Sequence, residues 1–550
     1  MVEVADATSS VMQKELSQLP WWKGAVIYQI YPRSFRDTNG DGVGDLKGVL
    51  QGLDHIASLG VDGIWISPFF TSPMADYGYD VADFCGVDPI FGTLEDFDAI
   101  VERSHALGMK VIIDQVYSHT SDHHDWFIES RSSRDNSRAD WYVWADPKSD
   151  GSPPNNWQSV FGGPSWEWDA RRGQYYFHNF LKEQPDLNLY NEEVQEALIA
   201  AGRFWLDRGV DGFRLDALNF SMHDLQLRDN PPSGVSAHEA TRPFDMQLKK
   251  YNMSQPEIVG FIEKFRAMLD EYPGAFTVAE VGGPNPIEEM KAFTEGERRL
   301  DSAYNFDFLY APSLNAQTVV ESANQWDQSE GEGWPSWAFS NHDAPRAVTR
   351  WASDAHRDEM ARLYMMLLLS LRGNPIIYQG EELGLPQANL PFSKLKDPEA
   401  IANWPKTLGR DGARTPIPWE AAQRHAGFSS AEPWLPVDPE HARLAVDQQQ
   451  GNDSMLRFTA EALAARKRVE ALVHGPMRFQ ESGQESALII ERRAGDDVIY
   501  ALFNFGDAAF SVPEGLVSAG DLLLSSRPLK EDPVKISGIP ARTGVWIRVV

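Results

Sequence analysis

One pattern governs this chain: an amphipathic helix, a glycine, then a short apolar strand, repeated along its length. It reads as ASLGVDGIWISPFF, HALGMKVIIDQV, DRGVDGFRLDAL and SLRGNPIIYQG. Leu46, Val49, Leu50, Leu53 and Ile56 fall on one face at helical spacing, and Gly60 offers a left-handed C-cap. Thr93 and Asp96 stand in capping-box spacing and open a second helix, with Leu94, Phe97, Ile100 and Val101 inward and Gly108 at its end. A third helix sets Val194, Leu198, Ala201 and Trp205 on one face and ends at Gly209. Continuously apolar strands alternating with such helices mean parallel βα units.

Eight candidate strands follow, at 24–32, 60–70, 109–116, 210–218, 276–281, 302–308, 334–342 and 374–380. Eight is the number that closes a (β/α)8 TIM barrel. Periodicity leaves a doubly wound sheet open, but no Gly-rich dinucleotide fingerprint follows the first strand, which counts against it. Two stretches interrupt the pattern. Residues 117–190 are rich in Trp, Ser, Pro, Asn and Asp and suggest a small domain inserted after strand 3; 385–435 is a second, proline-rich insertion. Beyond a last helix at about 453–468 the period shortens to two in SALIIERR, VIYALFNF and TGVWIRVV, with a hairpin signal at Gly495 and Asp496. The expected division is barrel over 1–116, inserted domain over 117–183, barrel again over 184–470, and a C-terminal antiparallel β domain over 471–550.

A chain of 550 residues accommodates that plan. Its net charge of −30 argues against nucleic acid, anionic membranes and phosphorylated substrates, and fits a neutral ligand. Cys85 stands alone, so no intrachain disulfide can form. The run LYMMLLLSL is too short to span a bilayer, and the first residues lack the basic and apolar regions of a secretory leader. A cytoplasmic protein without membrane partners, monomeric or homodimeric, is the expectation.

Catalytic groups of a barrel sit where its strands end. Here those ends read VIIDQVYSH, GFRLDALN, FTVAEV and WAFSNHD, each carrying an acid: Asp114, Asp216, Glu280 and Asp343. One such acid is most often a helix cap. Four on one mouth repel one another, so structure alone does not account for them. Paired carboxylates beside Arg214, His119 and His342 are what glycoside cleavage requires: one ionised as nucleophile, one protonated as acid.

DQVYSH, GFRLDALN, VAEV and SNHD resemble the four signature regions of the α-amylase family, glycoside hydrolase family thirteen, and QPDLN resembles the fifth. With YQGEELG and RDGARTPIPW they run in family order, and the chain is most similar to the α-glucosidase and oligo-1,6-glucosidase subgroup. The resemblance implies Asp216 as nucleophile, Glu280 as acid/base, and Asp343 as the group gripping the sugar's 2- and 3-hydroxyls. It implies sugar-binding roles for His119 and His342. Asp114 is read as orienting Arg214, which sits two residues before Asp216 and should favour its ionised form. Asp76 and Tyr79 of DYGYD enter the same way, with Asp76 expected to pair with Arg414 and close the pocket around one terminal glucose, giving exo-action. Phe161 and Phe180 are expected to line that pocket.

The stretch DTNGDGVGD (37–45) sets oxygen ligands at every second position, as Ca²⁺ or Mg²⁺ asks of a loop, but Gly48 stands where an EF-hand needs a bidentate Glu. By itself this leaves a sensor, a clip or a solvated turn open. The resemblance implies a structural Ca²⁺ or Mg²⁺ on Asp37, Asn39, Asp41, the Val43 carbonyl and Asp45.

Linkage rests on Ala217. In the subgroup, Val after the nucleophile accompanies α-1,6 cleavage, whereas Thr or Ala accompanies α-1,4. QPDLN is more usual among 1,6-acting members, so the two signals disagree, and Ala217 is weighted more because it lies nearer the scissile bond. The resemblance thus implies an α-1,4-preferring α-glucosidase that also transfers glucose to other alcohols, acting on small neutral α-glucosides. An oligo-1,6-glucosidase, or a sucrose or trehalose-type isomerase, is the alternative; the RLDRD loop of isomaltulose-forming members is absent after SNHD.

Overall fold

Eight parallel strands close into a barrel, each paired with its neighbours in chain order. They are β1 (Ile27–Ile30), β2 (Gly63–Ile66), β3 (Lys110–Val116), β4 (Gly212–Asp216), β5 (Phe276–Val281), β6 (Ser302–Asn305), β7 (Trp334–Ala338) and β8 (Asn374–Tyr378). All eight fall inside the expected stretches, and closure of β1 on β8 excludes the doubly wound sheet. The computed structural model describes residues 19–326, 333–407, 409–516, 520–529 and 538–549. The reading of the first residues as lacking a leader falls largely on 1–18, outside the described residues.

Helices cover the barrel for the reasons the sequence gives. In α1 (Leu46–Leu59), Leu46, Val49, Leu53, Ile56 and Leu59 are buried, and Gly60 closes the helix at φ 90°. Each large side chain contributes roughly 1.5–3 kcal/mol by leaving water. α2 (Leu94–Ala106) opens with the full capping box between Thr93 and Asp96. α3 (Glu192–Asp207) buries Val194, Leu198, Ala201 and Trp205. Later helices are α4 (Ile258–Leu269), α5 (Pro286–Thr294), α6 (Ala316–Asn324), α7 (Arg357–Ser370) and α8 (Met455–Lys467). The run LYMMLLLSL belongs largely to α7 and is buried. Among the described residues no helix is long and apolar enough to cross a membrane.

Strand alternation splits the core in two. Ile27, Trp65, Ile112, Phe276, Val278, Tyr304, Ala338 and Ile376 pack together inside the barrel. Their neighbours Tyr28, Ile64, Ile66, Val111, Ile113 and Ala279 pack outward under the helices. This parity decides the site. Asp114 follows Ile112 by two, Arg214 and Asp216 share a face of β4, and Glu280 follows Val278 by two, so all point inward at the strands' C-terminal ends.

Between β3 and β4 the chain leaves the barrel to form a three-stranded antiparallel sheet (Trp144–Ala145, Trp166–Asp169 and Gln174–Phe177). The C-terminal region is a five-stranded sheet in which Ala494 pairs with Asp497 across the expected two-residue turn. It docks on α7, where Trp546 Nε1 donates to Ser370 Oγ at 2.7 Å.

Candidate active site

At the centre of the barrel mouth lies Arg214, fully buried and surrounded by three acids. Its Nη1 donates to Asp114 Oδ1 at 2.7 Å and to Asp216 Oδ1 at 2.5 Å, and its Nη2 lies 2.6 Å from Glu280 Oε1. Register explains the meeting: Asp114 stands opposite Arg214 on adjacent strands, and Glu280 stands opposite Tyr304. The Tyr304 hydroxyl donates to Glu280 Oε1 at 3.1 Å and accepts from Arg214 Nη2 at 3.0 Å. Asp114 Oδ2 accepts from Trp65 Nε1 at 2.9 Å and from the Tyr79 hydroxyl at 3.2 Å. Asp114 is thus fully engaged in holding Arg214, as expected, and turns no oxygen to the cavity.

One guanidinium cannot neutralise three buried carboxylates. Burial pushes Asp216 up to about 7 and Glu280 up to about 7, against the opposing pull of Arg214. Burial also raises Asp114, to about 6. Arg214 does favour ionised Asp216, but desolvation and the neighbouring acids outweigh it, so a proton resides in the cluster near neutrality. Asp343 is the opposite case. Its burial is outweighed by His342, Arg414 and Arg410, which hold its carboxyl well below the usual range. Arg414 Nη2 approaches Asp343 Oδ1 to 2.6 Å and Arg410 Nη1 to 3.4 Å.

The cavity beside these acids has a volume of about 730 Å³, within the range that encloses a small ligand. Asp76, Tyr79, His119, Phe161, Phe180, Asp216, Ala217, Glu280 and Asp343 all line it. Arg214, His342 and Arg414 lie behind that wall, fully buried and bonded to its carboxylates or backbone. His342 stacks between Tyr79 and Tyr31, and burial lowers it to about 3, so it is a neutral ring. His119, lowered to about 4 by burial, sits 3.0 Å from the Tyr79 carbonyl and faces Phe180. Ala217 takes a left-handed conformation (φ 40°, ψ 41°), which brings its N–H to Glu280 Oε2 at 3.2 Å. A positive φ is uncommon for any residue with a Cβ.

One expected pairing is corrected. Asp76 pairs with Arg410, at 2.7 Å, and not with Arg414. Both arginines belong to RDGARTPIPW and both reach Asp343, but a 3-10 turn over Asp411–Ala413 separates them and only Arg410 also reaches Asp76. Arg414 Nε donates to the His342 carbonyl at 2.7 Å, whereas Arg410 lies over the Phe161 ring and also meets Asp397 at 2.8 Å. Sequence reasoning gave no role to Arg410, Gln184, Tyr304 or Trp65. Gln184 sits 3.2 Å from Asp76 and 3.0 Å from His119. Tyr304 and Trp65 carry a legible signal, since both have inward parity on their strands.

The DTNGDGVGD loop folds away from the mouth. Asp37 accepts the backbone N–H of Asn39, Gly40 and Gly42 and the hydroxyl of Ser429. Asp45 caps α1 through Gly48 and accepts from Thr38. Gly48 cannot be the twelfth-position Glu, because a Cβ there would lie 2.0 Å from the Arg36 carbonyl. Asn39 and Asp41 are exposed, and Asp41 accepts from Val43 N–H. Among the described residues no group of three or more His, Cys, Asp or Glu is arranged to hold a metal ion.

Comparison with known proteins adds a family context to this geometry. Residues 29–475 match the Alpha-amylase family, described as the alpha amylase catalytic domain. Over 512 residues the chain is 51% identical to a probable alpha-glucosidase of Rhizobium meliloti (strain 1021), covering 92% of each. It is 35% identical over 552 residues to an oligo-1,6-glucosidase of Bacillus cereus, covering 94% of this chain and 97% of that one. Among solved structures, the alpha-glucosyl transfer enzyme XgtA superposes with a TM-score of 0.90 at 46% identity, over 97% of this chain and 100% of that one. A variant of the trehalulose synthase MUTB superposes with a TM-score of 0.89 at 31% identity, over 96% and 100%.

Proposed function

The chain belongs to the α-amylase family and is a glycoside hydrolase, and from that premise we propose that it is a retaining, exo-acting α-glucosidase preferring terminal α-1,4-linked glucose of maltose and short oligosaccharides. The observation that carries this reading is the sharing of one guanidinium by Asp216 and Glu280 at the cavity wall, with the Asp76–Arg410 pair across its far end.

Adjacent nitrogens of one Arg hold the two carboxylates near each other, which suits the roughly 5 Å separation of a double displacement. Asp216 attacks C1 as Glu280 passes its proton to the glycosidic oxygen; the C1–O bond breaks and a β-glucosyl ester forms. Glu280, now ionised, takes a proton from water, whose oxygen displaces Asp216 and restores the α-anomer. Asp343, held ionised by two arginines, supplies negative charge to the sugar's hydroxyls on that wall. Asp76 and Arg410 bind the outer hydroxyls of the terminal glucose and leave no room for a further sugar. An alcohol taking the place of water gives transfer in place of hydrolysis.

Ala217 supports the α-1,4 preference by leaving space on the leaving-group side of Asp216. A product time course on maltose, maltotriose, isomaltose, sucrose and starch, with anomers followed by NMR, tests the whole reading. Glucose released as α-anomer from maltose faster than from isomaltose, with starch nearly inert, is the expected result. A first product of β configuration contradicts it.

We also propose that Asp37, Asn39, Asp41, the Val43 carbonyl and Asp45 hold a structural Ca²⁺ or Mg²⁺. Hard oxygen donors at alternate positions support this; no chemical step passes through the ion. Calcium titration should raise the melting temperature of chelator-treated protein without changing kcat. With Cys85 its only cysteine the chain can form no intrachain disulfide, and we propose a cytoplasmic location.

A further inference from the structure

The cavity is lined by a second charged pair besides Asp76–Arg410. Arg242 Nη1 donates to Glu399 Oε1 at 2.7 Å, and both side chains line the cavity while staying only 22% and 17% exposed. The two residues are 157 positions apart. Arg242 belongs to the long segment between β4 and α4; Glu399 belongs to a short helix, Pro398–Asn403, in the insertion after β8.

Few other hydrogen bonds or ion pairs join the first segment to the second among the described residues. Between 232 and 249, Val235 and Leu248 are 40% and 47% exposed, while Ala240 and Phe244 are buried. A further cross-tie is Lys406 Nζ, which reaches the carbonyls of Ala240 at 2.8 Å and Ala237 at 3.1 Å. On its other side the segment is tied to the inserted region, where Gln247 Nε2 donates to the Asn156 carbonyl at 2.7 Å. The helix carrying Glu399 is itself anchored to the far closure, because its N-cap Asp397 meets Arg410 at 2.8 Å. Residues 397–399 therefore take part in both charged pairs.

We infer that the Arg242–Glu399 ion pair is a crossbar over the leaving-group side, and that it limits how many sugar units can extend beyond the scissile bond. A partly buried pair joining two loops holds them together only while both charges are present. With either charge removed the loops part and the pocket opens into a groove that admits longer chains. The inference rests on the α-glucosidase reading above.

The test uses Arg242→Gln, Glu399→Gln and the reversal Arg242→Glu with Glu399→Arg in the full-length enzyme. The readout is the ratio of kcat/KM for a tetrasaccharide to that for a disaccharide of the same linkage, after a melting curve has shown that each variant folds. Each single variant should raise that ratio by roughly tenfold, the scale of a changed pocket contact, and the reversal should return it to within about twofold of wild type. If Arg242 instead only binds the leaving sugar, Arg242→Gln lowers activity on both substrates, Glu399→Gln leaves the ratio unmoved, and the reversal restores nothing. That pattern, or a ratio unchanged in both single variants, overturns the inference. Should wild type fail on maltose but cleave another α-glucoside series, the proposed linkage fails alone and the same ratio is read in that series.

Discussion

Two clusters of acids lie within this chain, and their carboxylates are satisfied in opposite ways. In DTNGDGVGD the oxygens of Asp37 and Asp45 accept from backbone N–H groups and hydroxyls, so the acids shape a turn and cap a helix, and the proposed cation would join these donors in a purely structural role. At the barrel mouth Asp114, Asp216 and Glu280 share one guanidinium, and burial raises all three. A carboxylate fully bonded to donors is a structural part. One buried and left short of positive charge is poised to accept or give a proton. Residue type is the same in both places; what differs is the supply of donors.

The contrast is broken most severely at Asp216 and Glu280. Asp216→Asn should lower kcat on maltose by about 10⁴-fold or more, and Glu280→Gln by about 10²–10⁴-fold with a natural leaving group. Asp41→Asn, in the other cluster, should leave kcat within about twofold, since it touches nothing at the mouth. Steady-state kinetics on the three variants checks this.

Next comes the far closure. Asp76→Asn leaves Arg410 its Asp397 partner and keeps the wall in place, but removes the charge facing the terminal sugar. A loss of about 10²-fold in kcat/KM for maltose is expected, the scale of a misplaced substrate. Arg414→Lys should act differently, through Asp343, and lower kcat more than it raises KM.

The pH profile sharpens the contrast further. Asp216 must be ionised and Glu280 protonated, and both are raised to about 7; kcat/KM should form a bell near neutrality whose two limbs belong to the pair. The stability sign follows from the same shift. A carboxyl whose pKa is raised on folding contributes stability that is present below its unfolded value and lost as pH rises through about 7. Asp216→Asn should therefore melt higher than wild type at pH 8 and gain little at pH 5, by calorimetry.

The smallest effect belongs to the turn. In chelator-treated protein, Asp45→Ala removes the cap of α1 and should cost about 1 kcal/mol, seen as a slightly lower melting temperature with kcat unchanged.

Much of this was legible before any coordinates. Seven of the eight strands announce themselves through an apolar run after a glycine, β6 being the exception, and Thr93 and Asp96 form the capping box that their spacing predicts. The acids are legible because they break apolar strands at their ends. What spacing does not carry is which of two arginines in one motif reaches Asp76. Arg410 and Arg414 differ by the path of a single 3-10 turn, and only the folded insertion sends the first to Asp76. Gln184 is hidden for a similar reason: its loop belongs to the inserted region, and no strand parity fixes where its amide points. Tyr304 was within reach, because inward parity on β6 sets it opposite Glu280.

The central claim is that Asp216 and Glu280 work as a pair on one anomeric carbon. Its most direct test is mass spectrometry of Glu280→Gln protein incubated with an activated α-glucosyl fluoride and digested with a protease. The account predicts one anhydroglucose unit on the peptide containing Asp216, removed when azide is added and returned as an α-glucosyl azide, because azide needs no proton-accepting partner and inverts the β-ester. No adduct on that peptide together with unslowed turnover, or an adduct on a different carboxylate, would contradict it.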